Sequence, residues 1–468
     1  MTSRRKFLDI SGKGLIAATF LPGLSAFSFP KSSAPAWIKN LPLPKQSPLK
    51  FNIEDFGAIG DGKTMNTSSI QEAIDRCFVL GGGEVLIPKG TFLTGAVALK
   101  SAVSLHLDEG AVLQGSDSLG DYPISQVRWE GKWRQGHQAL IYATDAENIG
   151  IKGAGKIQGS NKVGGRPNKE NPHRRPALIE PINCKNIVFD GFSTSYHLMW
   201  CIHPTYCENV VCSNLNIRST GGNGDGIDVD SCKNVLIENC DIATGDDCIA
   251  IKSGRGMEGY TLLRTTENVL VRNCTMADSI FACIGIGSET SGGIKNVSIQ
   301  NCRFTHAKTH AIYIKSRPGR GAFIENIEVD GMDVEGMEGG FLRFNLMGSG
   351  LQDEDPVPGL DGIPTVKNFS FKNIRVKNVP ILVEGFSVHP DKPLDGFVLQ
   401  NVSGTCQKGI FLANVKNASI DNIQLSGFEG PLLSIHHVSG KGLEKAVEVA
   451  GPKVAEAIAA PDKPYVLK

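Results

Sequence analysis

Three aspartates and two lysines carry the chemistry most open to reading in this 468-residue chain. Asp225 lies in Asn223-Gly-Asp-Gly-Ile-Asp-Val-Asp-Ser. Asp246 and Asp247 lie in Gly245-Asp-Asp-Cys-Ile-Ala-Ile-Lys-Ser, which ends in Lys252 and Ser253. Carboxyl groups forced together cannot all ionise alike, so one keeps a proton while its neighbours stay charged, which is an acid and base in one place. Alone, an Asp-Asp pair is a solvated surface ladder. A third aspartate 22 residues away, with lysines in the same repeat, favours a site.

The elements that must position these groups are short strands. Phe281-Ala-Cys-Ile-Gly-Ile-Gly-Ser and Thr309-His-Ala-Ile-Tyr-Ile-Lys-Ser repeat the shape of the two aspartate segments. Alignment puts Ile227/Val229, Ile249/Ile251, Ile284/Ile286 and Ile312/Ile314 in columns, with Ser231, Ser253, Ser288 and Ser316 in another. Alternation at period two marks a strand with one buried face. Its recurrence after 22, 35 and 28 residues marks a coil stacked on itself. Asp225 and Asp247 then sit about one rung apart, roughly 4.8 Å. Asp246 and Asp247 reach one face only if the chain bends, which Gly245 permits. The outward column reads Asp230, Lys252, Gly287, Lys315, so carboxylates and lysines share a wall.

The rest of the chain fits one solenoid. Basic and acidic residues balance at 48 each, which argues against a nucleic-acid protein and leaves room for a local basic groove. Residues 1–30 read as an export signal of twin-arginine type, Arg4-Arg5 before an apolar run too short to span a bilayer. That places the mature protein in the periplasm or outside the cell. Residues 31–49 read as a flexible lead-in, 50–440 as an all-β parallel β-helix, and 441–468 as a poorly ordered tail or short helix. The spacing from 67 to 80 predicts an amphipathic helix over the N-terminal end of the coil, with Ser or Thr available to cap it. Asn148, Asn186, Asn209, Asn234, Asn268, Asn296 and Asn326 each precede an apolar run and can stack as a ladder. Of the twelve cysteines, Cys184, Cys207 and Cys232 open one recurring phrase and Cys240, Cys274 and Cys302 follow an Asn. That regularity predicts stacked interior thiols, with at most one or two surface pairs. Insertions at 161–176, 254–266 and 345–365 are expected to wall a cleft, the first of them basic.

On the Asn-x-Asp, Gly-Asp-Asp-Cys and Ile-Lys-Ser phrases, and on Phe56-Gly-Ala-x-Gly-Asp-Gly and Trp200-Cys-Ile-His-Pro-x-Tyr-Cys, the chain resembles glycoside hydrolase family 28, from about residue 51 to 330. The resemblance implies a right-handed parallel β-helix and inverting hydrolysis of galacturonosyl linkages in pectin, with Asp225, Asp246 and Asp247 as the catalytic trio. Two positions depart from it. The family's Gly-His-Gly reads Phe281-Ala282-Cys283, and its Arg-Ile-Lys reads Tyr313-Ile-Lys315. Rhamnogalacturonan hydrolases are similar in lacking these two residues, and Ser288-Glu-Thr-Ser-Gly-Gly looks like bacterial exo-acting members. Inversion needs an acid and a base about 6.5–9.5 Å apart with a water between them. Asp246 is the candidate acid, and Asp225 and Asp247 the candidate bases. Lys252 and Lys315 would pair with substrate carboxylates, Asn223 would help bind, Tyr313 would stack on a sugar, and His310, one rung from Ala282, would stand in for the missing histidine. Trp200 and His203 are expected near the cleft, with Trp200 more in the core. No cofactor or metal ion is expected, and the partner is an acidic plant cell-wall polysaccharide or oligosaccharide met by a monomer. A pectate-type lyase holding Ca²⁺ and a non-catalytic carbohydrate-binding β-helix remain as alternatives.

Overall fold

In a computed structural model, residues 34–467 are described, apart from 45, 46, 170, 198 and 462. The expected export signal lies outside the described residues. The chain winds as a parallel β-helix whose coils each contribute strands to three stacks. In the stack that matters for function, Ile227–Asp230 pairs in parallel with Ile249–Lys252, then Ile284–Ile286, His310–Lys315 and Gly340–Asn345. The register runs Ile227↔Ile249↔Ile284↔Ile312↔Leu342, as the repeat predicts, and each of these side chains is fully buried. Each such side chain taken from water stabilises the fold by roughly 1.5–3 kcal/mol before entropy is charged against it.

The serine column does not hold throughout. Ser231 N–H donates to the Lys252 carbonyl, the regular partner, whereas Ser253 N–H donates to Glu289. The chain bulges at Gly287 and Ser288. Gly287 has φ 93°, and a Cβ there would lie 2.0 Å from the Lys315 carbonyl oxygen, so only glycine fits the turn.

Two ladders brace the coils. Asn186 donates to Asn148, Asn209 to Asn186, Asn234 to Asn209, Asn268 to Asn234, Asn296 to Asn268, Asn326 to Asn296 and Asn368 to Asn326, at 2.9–3.1 Å. Each of these asparagines holds a left-handed turn, near φ +57°, that Asn tolerates better than most residues. Inside the coil all twelve cysteines are free and buried, with no surface pair. Cys207 N–H donates to Cys232 Sγ at 3.3 Å, one step in a stack of thiols.

The helix spans Thr67–Val79 and turns Ile70, Ala73, Ile74 and Cys77 into the core. No Ser or Thr caps it. Asn66 precedes it and spends its side chain on Ile59, Thr64 and Leu93, while Thr67 Oγ1 accepts from Gly95 N–H. Three further details differ from expectation. Part of the supposed flexible lead-in is a 3-10 turn, Ala36–Asn40, that lays Trp37 and Ile38 over Val211, Leu236 and Leu270 on the outside of the coil. Ile124–Trp129 and Lys132–His137 form an antiparallel hairpin in the midst of parallel coils. The C-terminal tail has no helix among its described residues. Val447–Glu448 pairs with Ser434–Ile435, and the chain then runs extended, its Ala455 and Ile458 carbonyls accepting from His389 and Gly359.

Candidate active site

Outward residues of the functional stack form one stripe. Glu180 sits in Ile179–Ile182, and the bridges of Ile202 to Ile179 and Ile227 carry the stripe through His203 to Asp228. Asp228 faces Ala250, Ala250 faces Gly285, Gly285 faces Tyr313, and Tyr313 faces Arg343. The three aspartates lie just before their strands, at one edge of this stripe.

The segment before each strand explains how they converge. Gly226 N–H donates to the Asp247 carbonyl, which fixes the rung. The chain bends at Gly245, where a Cβ would lie 2.2 Å from the Gly221 carbonyl oxygen, so the Asn223 turn and the Asp246 turn nest against each other. Asn223, at φ 60°, donates its backbone N–H to Asp246 Oδ2 at 3.2 Å, and Asp247 N–H donates to Asp246 Oδ1 at 3.0 Å. Thr244 and Ser279 hydroxyls both donate to the Asp246 carbonyl. The bend that the paired aspartates required is thus pinned on its backbone, and oxygens of Asp225, Asp246 and Asp247 lie within 4.8 Å of one another. That is closer than the 6.5–9.5 Å expected from the sequence for an inverting pair.

Lys315 reaches back across Gly285 to Asp247, Nζ to Oδ2 at 2.8 Å, and Ala282 N–H donates to Asp247 Oδ1 at 3.1 Å. A Cβ at residue 285 would meet Asp247 Oδ2 at 2.4 Å and Lys315 Nζ at 3.0 Å, so the bare glycine is what admits the pair. Lys252 binds Asp228, lies 3.7 Å from Asp225 Oδ2, and sits 4.1 Å over the ring of Trp200. Burial keeps Asp225 protonated far above the usual carboxylate range, with Asp228 adding to the shift and Lys252 opposing it. Burial likewise raises Asp228 and Asp247, against the pull of Lys252 and Lys315 respectively. Burial works against both lysines too, yet the neighbouring carboxylates win and raise them. The trio has the spacing of a cation site, but Lys252 and Lys315 already supply the positive charge that a cation would bring.

The raised Asp225 has a thermodynamic consequence. A carboxyl whose folded pKa stands above its unfolded value, about 3.9, contributes stability at low pH that is lost as pH rises through the folded value. At neutral pH Asp225→Asn should therefore raise Tm, and Tm should vary less between about pH 4 and 7 than in the wild type. Thermal melts across that range check this, and a lower Tm at pH 7 would contradict it.

Several expected roles change once the side chains are placed. Lys252 and Lys315 were expected to meet substrate carboxylates, but both are buried and bound to the protein's own. Two arginines of the basic loop are also committed: Arg174 forms a bidentate pair with Glu180, and Arg175 donates to Gly222 O and toward Asn223 Oδ1. Burial alone would raise Glu180, but Arg174 and His203 outweigh it and hold the carboxylate at about 2. Asp230, in the expected outward column, is taken by Arg128 and the Gly254 N–H. Tyr313 points outward as predicted, but Phe281 stacks on it at 5.7 Å and 19°, so the half-buried Phe281 is the ring nearer the groove. His310 is buried, its Nε2 3.4 Å from Glu384 Oε2. Trp200 is buried as expected and stacks with Trp129 of the hairpin, centroids 6.0 Å apart.

Asp228, bound to Lys252, is the carboxyl group of the site that sequence reasoning passed over, although the Ile227/Val229 alternation already placed it outward. The hairpin and the insertions form the walls. Arg128 bridges Asp230 and Glu258, and Asp353, from the 345–365 insertion, binds Lys132 and Arg255 with Arg320 at 3.7 Å.

Comparison with known proteins agrees with this architecture. The family model for glycosyl hydrolases family 28 matches residues 77–342. A probable polygalacturonase of Vitis vinifera is 30% identical over 372 residues, 75% of this chain and 73% of that one. An exo-poly-alpha-D-galacturonosidase of Dickeya chrysanthemi is 27% identical over 446 residues, 81% and 72% of the two chains. Among solved structures, a hyperthermoactive exopolygalacturonase from Thermotoga maritima superposes with a TM-score of 0.73 at 29% identity, covering 84% of this chain and 95% of that one. The winding is the right-handed one of these proteins. With its trio of aspartates at one edge of the outward stripe, the chain belongs to glycosyl hydrolases family 28 and is a glycoside hydrolase.

Proposed function

We propose that the enzyme hydrolyses galacturonosyl linkages of pectic polysaccharides or their oligosaccharides, removing units from chain ends. The observation that carries the reading is the aspartate trio, two of whose members are buried against lysines while Asp246 alone is half-exposed to the groove. The crowded carboxyls share at least one proton, and Asp246 is the member that substrate can reach. It delivers that proton to the glycosidic oxygen as the C–O bond breaks. Asp247, held by Lys315, takes a proton from a water and directs its oxygen to the anomeric carbon, while the protonated Asp225 holds that water by a hydrogen bond. Both are pinned, Asp247 by Lys315 and Asp225 beside Lys252, which suits them to orient water rather than to attack carbon. The reaction is therefore an inverting one despite the short separations.

End-wise action is supported by the hairpin, which stacks Trp129 on Trp200 beside Lys252, where an aromatic stop on the N-terminal side of the stripe would admit only a chain end. The two relatives named above with exo-action in their names fit this reading. Polygalacturonate, trigalacturonate and rhamnogalacturonan, each digested and analysed by mass, should give one short product from the start and little early loss of viscosity. A ladder of sizes would instead mean internal cleavage, products from rhamnogalacturonan alone would move the substrate there, and no new reducing ends from any would remove the hydrolase reading. The mature protein acts in the periplasm or outside the cell, a reading supported by the Arg4-Arg5 pattern and checked by fractionating cells that make the full chain. No helix among the described residues is long and apolar enough to cross a membrane.

A further inference from the structure

The carboxyl groups of the groove, Asp225, Asp228, Asp246 and Asp247, lie with two ammonium groups, Lys252 and Lys315, and both of those are spent on them. Recognition of a uronate chain therefore calls for a further cation with unused donors nearby. Arg343 has the right place and chemistry. It is the outward residue one rung beyond Tyr313, and its guanidinium lies 5.1 Å over the Tyr313 ring. That side chain is 33% exposed, and its Nε is 3.4 Å from Glu384 Oε2. The two Nη groups donate no hydrogen bond among the described residues. The planar fork is held flat by the aromatic face beneath it and by one carboxylate behind it, with its outer edge left for a bidentate partner. Tyr313 is two rungs from the strand that follows Asp247, about 10 Å along the groove at roughly 4.8 Å per rung.

We propose that Arg343 is a further substrate-binding residue, which takes the carboxylate of a galacturonosyl unit in a subsite beyond the one at the aspartates. This rests on the galacturonosyl reading above and deepens it. Glu384 orients the guanidinium from behind, and Phe281, stacked on Tyr313, offers an apolar face beside it for the sugar ring. The lysines were read from sequence as the groups that recognise substrate charge; Arg343 does that work, and Lys252 and Lys315 hold the catalytic carboxylates.

Binding tests this without requiring turnover. Trigalacturonate is titrated calorimetrically into Asp246→Asn protein, alone and combined with Arg343→Gln, and the carboxyl-reduced trisaccharide is titrated into both. Loss of a charge-assisted pair should weaken trigalacturonate binding roughly tenfold or more while the reduced sugar binds the two proteins alike. Arg343→Lys should recover part of the loss, since the charge returns without the fork. Equal Kd for trigalacturonate in both proteins overturns the proposal. So does an equal loss for the acidic and reduced sugars with a lowered Tm, the mark of an arginine that only braces Glu384. Trigalacturonate that binds neither protein overturns both this proposal and the substrate reading, whereas an active wild type with equal Kd values sinks Arg343 alone.

Discussion

Asp246→Asn should lower turnover on natural galacturonosyl substrates by about 10²–10⁴-fold, the usual worth of general acid catalysis. The reason is positional. Asp225 and Asp247 are buried against cations, while Asp246 is half-exposed, and its two oxygens are aimed by the N–H groups of Asn223 and Asp247. The amide fills the same volume, so the fold should survive. One of those two N–H groups loses its acceptor at a cost of about 1 kcal/mol, set against relief of repulsion within the trio. A galacturonide with a nitrophenyl leaving group needs no proton, and on it the variant should keep most of its activity. NMR of the earliest products should show the inverted anomer. Near-normal turnover of the natural substrate, or early products of retained configuration, would refute the assignment. The second outcome would turn one of the pinned aspartates into a nucleophile, as the short carboxylate separations taken alone suggest.

Lys315→Met should cost nearly as much activity, by a different route. Lys315 is the close cation of Asp247 at 2.8 Å, and its removal leaves a buried carboxylate without its counter-charge, held only by the Ala282 N–H. Breaking such a pair typically costs about 3–5 kcal/mol, which the protein escapes by letting Asp247 keep a proton. Burial already raises Asp247 and Lys315 is the largest influence opposing that, so in the variant the carboxyl titrates at higher pH still. The acid-side limb of the kcat/KM profile should move up in pH, and activity at neutral pH should fall because the base is protonated. Stability follows the same sign: a further raised Asp247 stabilises the folded variant at low pH and destabilises it progressively as pH rises through the new value. A variant with reduced activity but an unshifted pH profile would show that Lys315 does not govern Asp247.

Much of this arrangement was readable before any coordinates. The period-two alternation and the recurring Asn phrases are local signals repeated many times, and each repeat corrects the register of the next. The column that placed Asp225 one rung from Asp247 was therefore sound. The same logic failed at Ser288, where the chain bulges between Ile286 and Glu289 and a count of residues no longer tracks position. The lysines were placed in the groove, but their carboxyl partners within the protein were not foreseen, because register says which face a side chain leaves from and not how far it reaches. Lys315 passes over Gly285 to a carboxylate two rungs away, and only the empty space at that glycine makes the path possible. Arg343 and Glu384 lie past the last clear repeat, where strand continues from Thr365 to Ser387 with no marked turn between coil faces. The hairpin was hidden for another reason. Glu130 and Gly131, both at positive φ, form its two-residue turn, and Glu is not among the residues that announce such a turn in a sequence.

The stacked thiols bear on how the enzyme has to be made. Twelve cysteines, all destined for the interior and none joined, are neighbours along the coil only after winding is complete. In the unwound chain the same groups are exposed nucleophiles, open to exchange with any oxidant or with each other. Each premature bond would lock two coils out of register, and no native disulfide exists to reward an oxidising environment. Folding is therefore favoured by reducing conditions, and burial seals the thiols once it is done. In the laboratory the same reasoning selects cytoplasmic expression, and refolding with a thiol reductant present throughout.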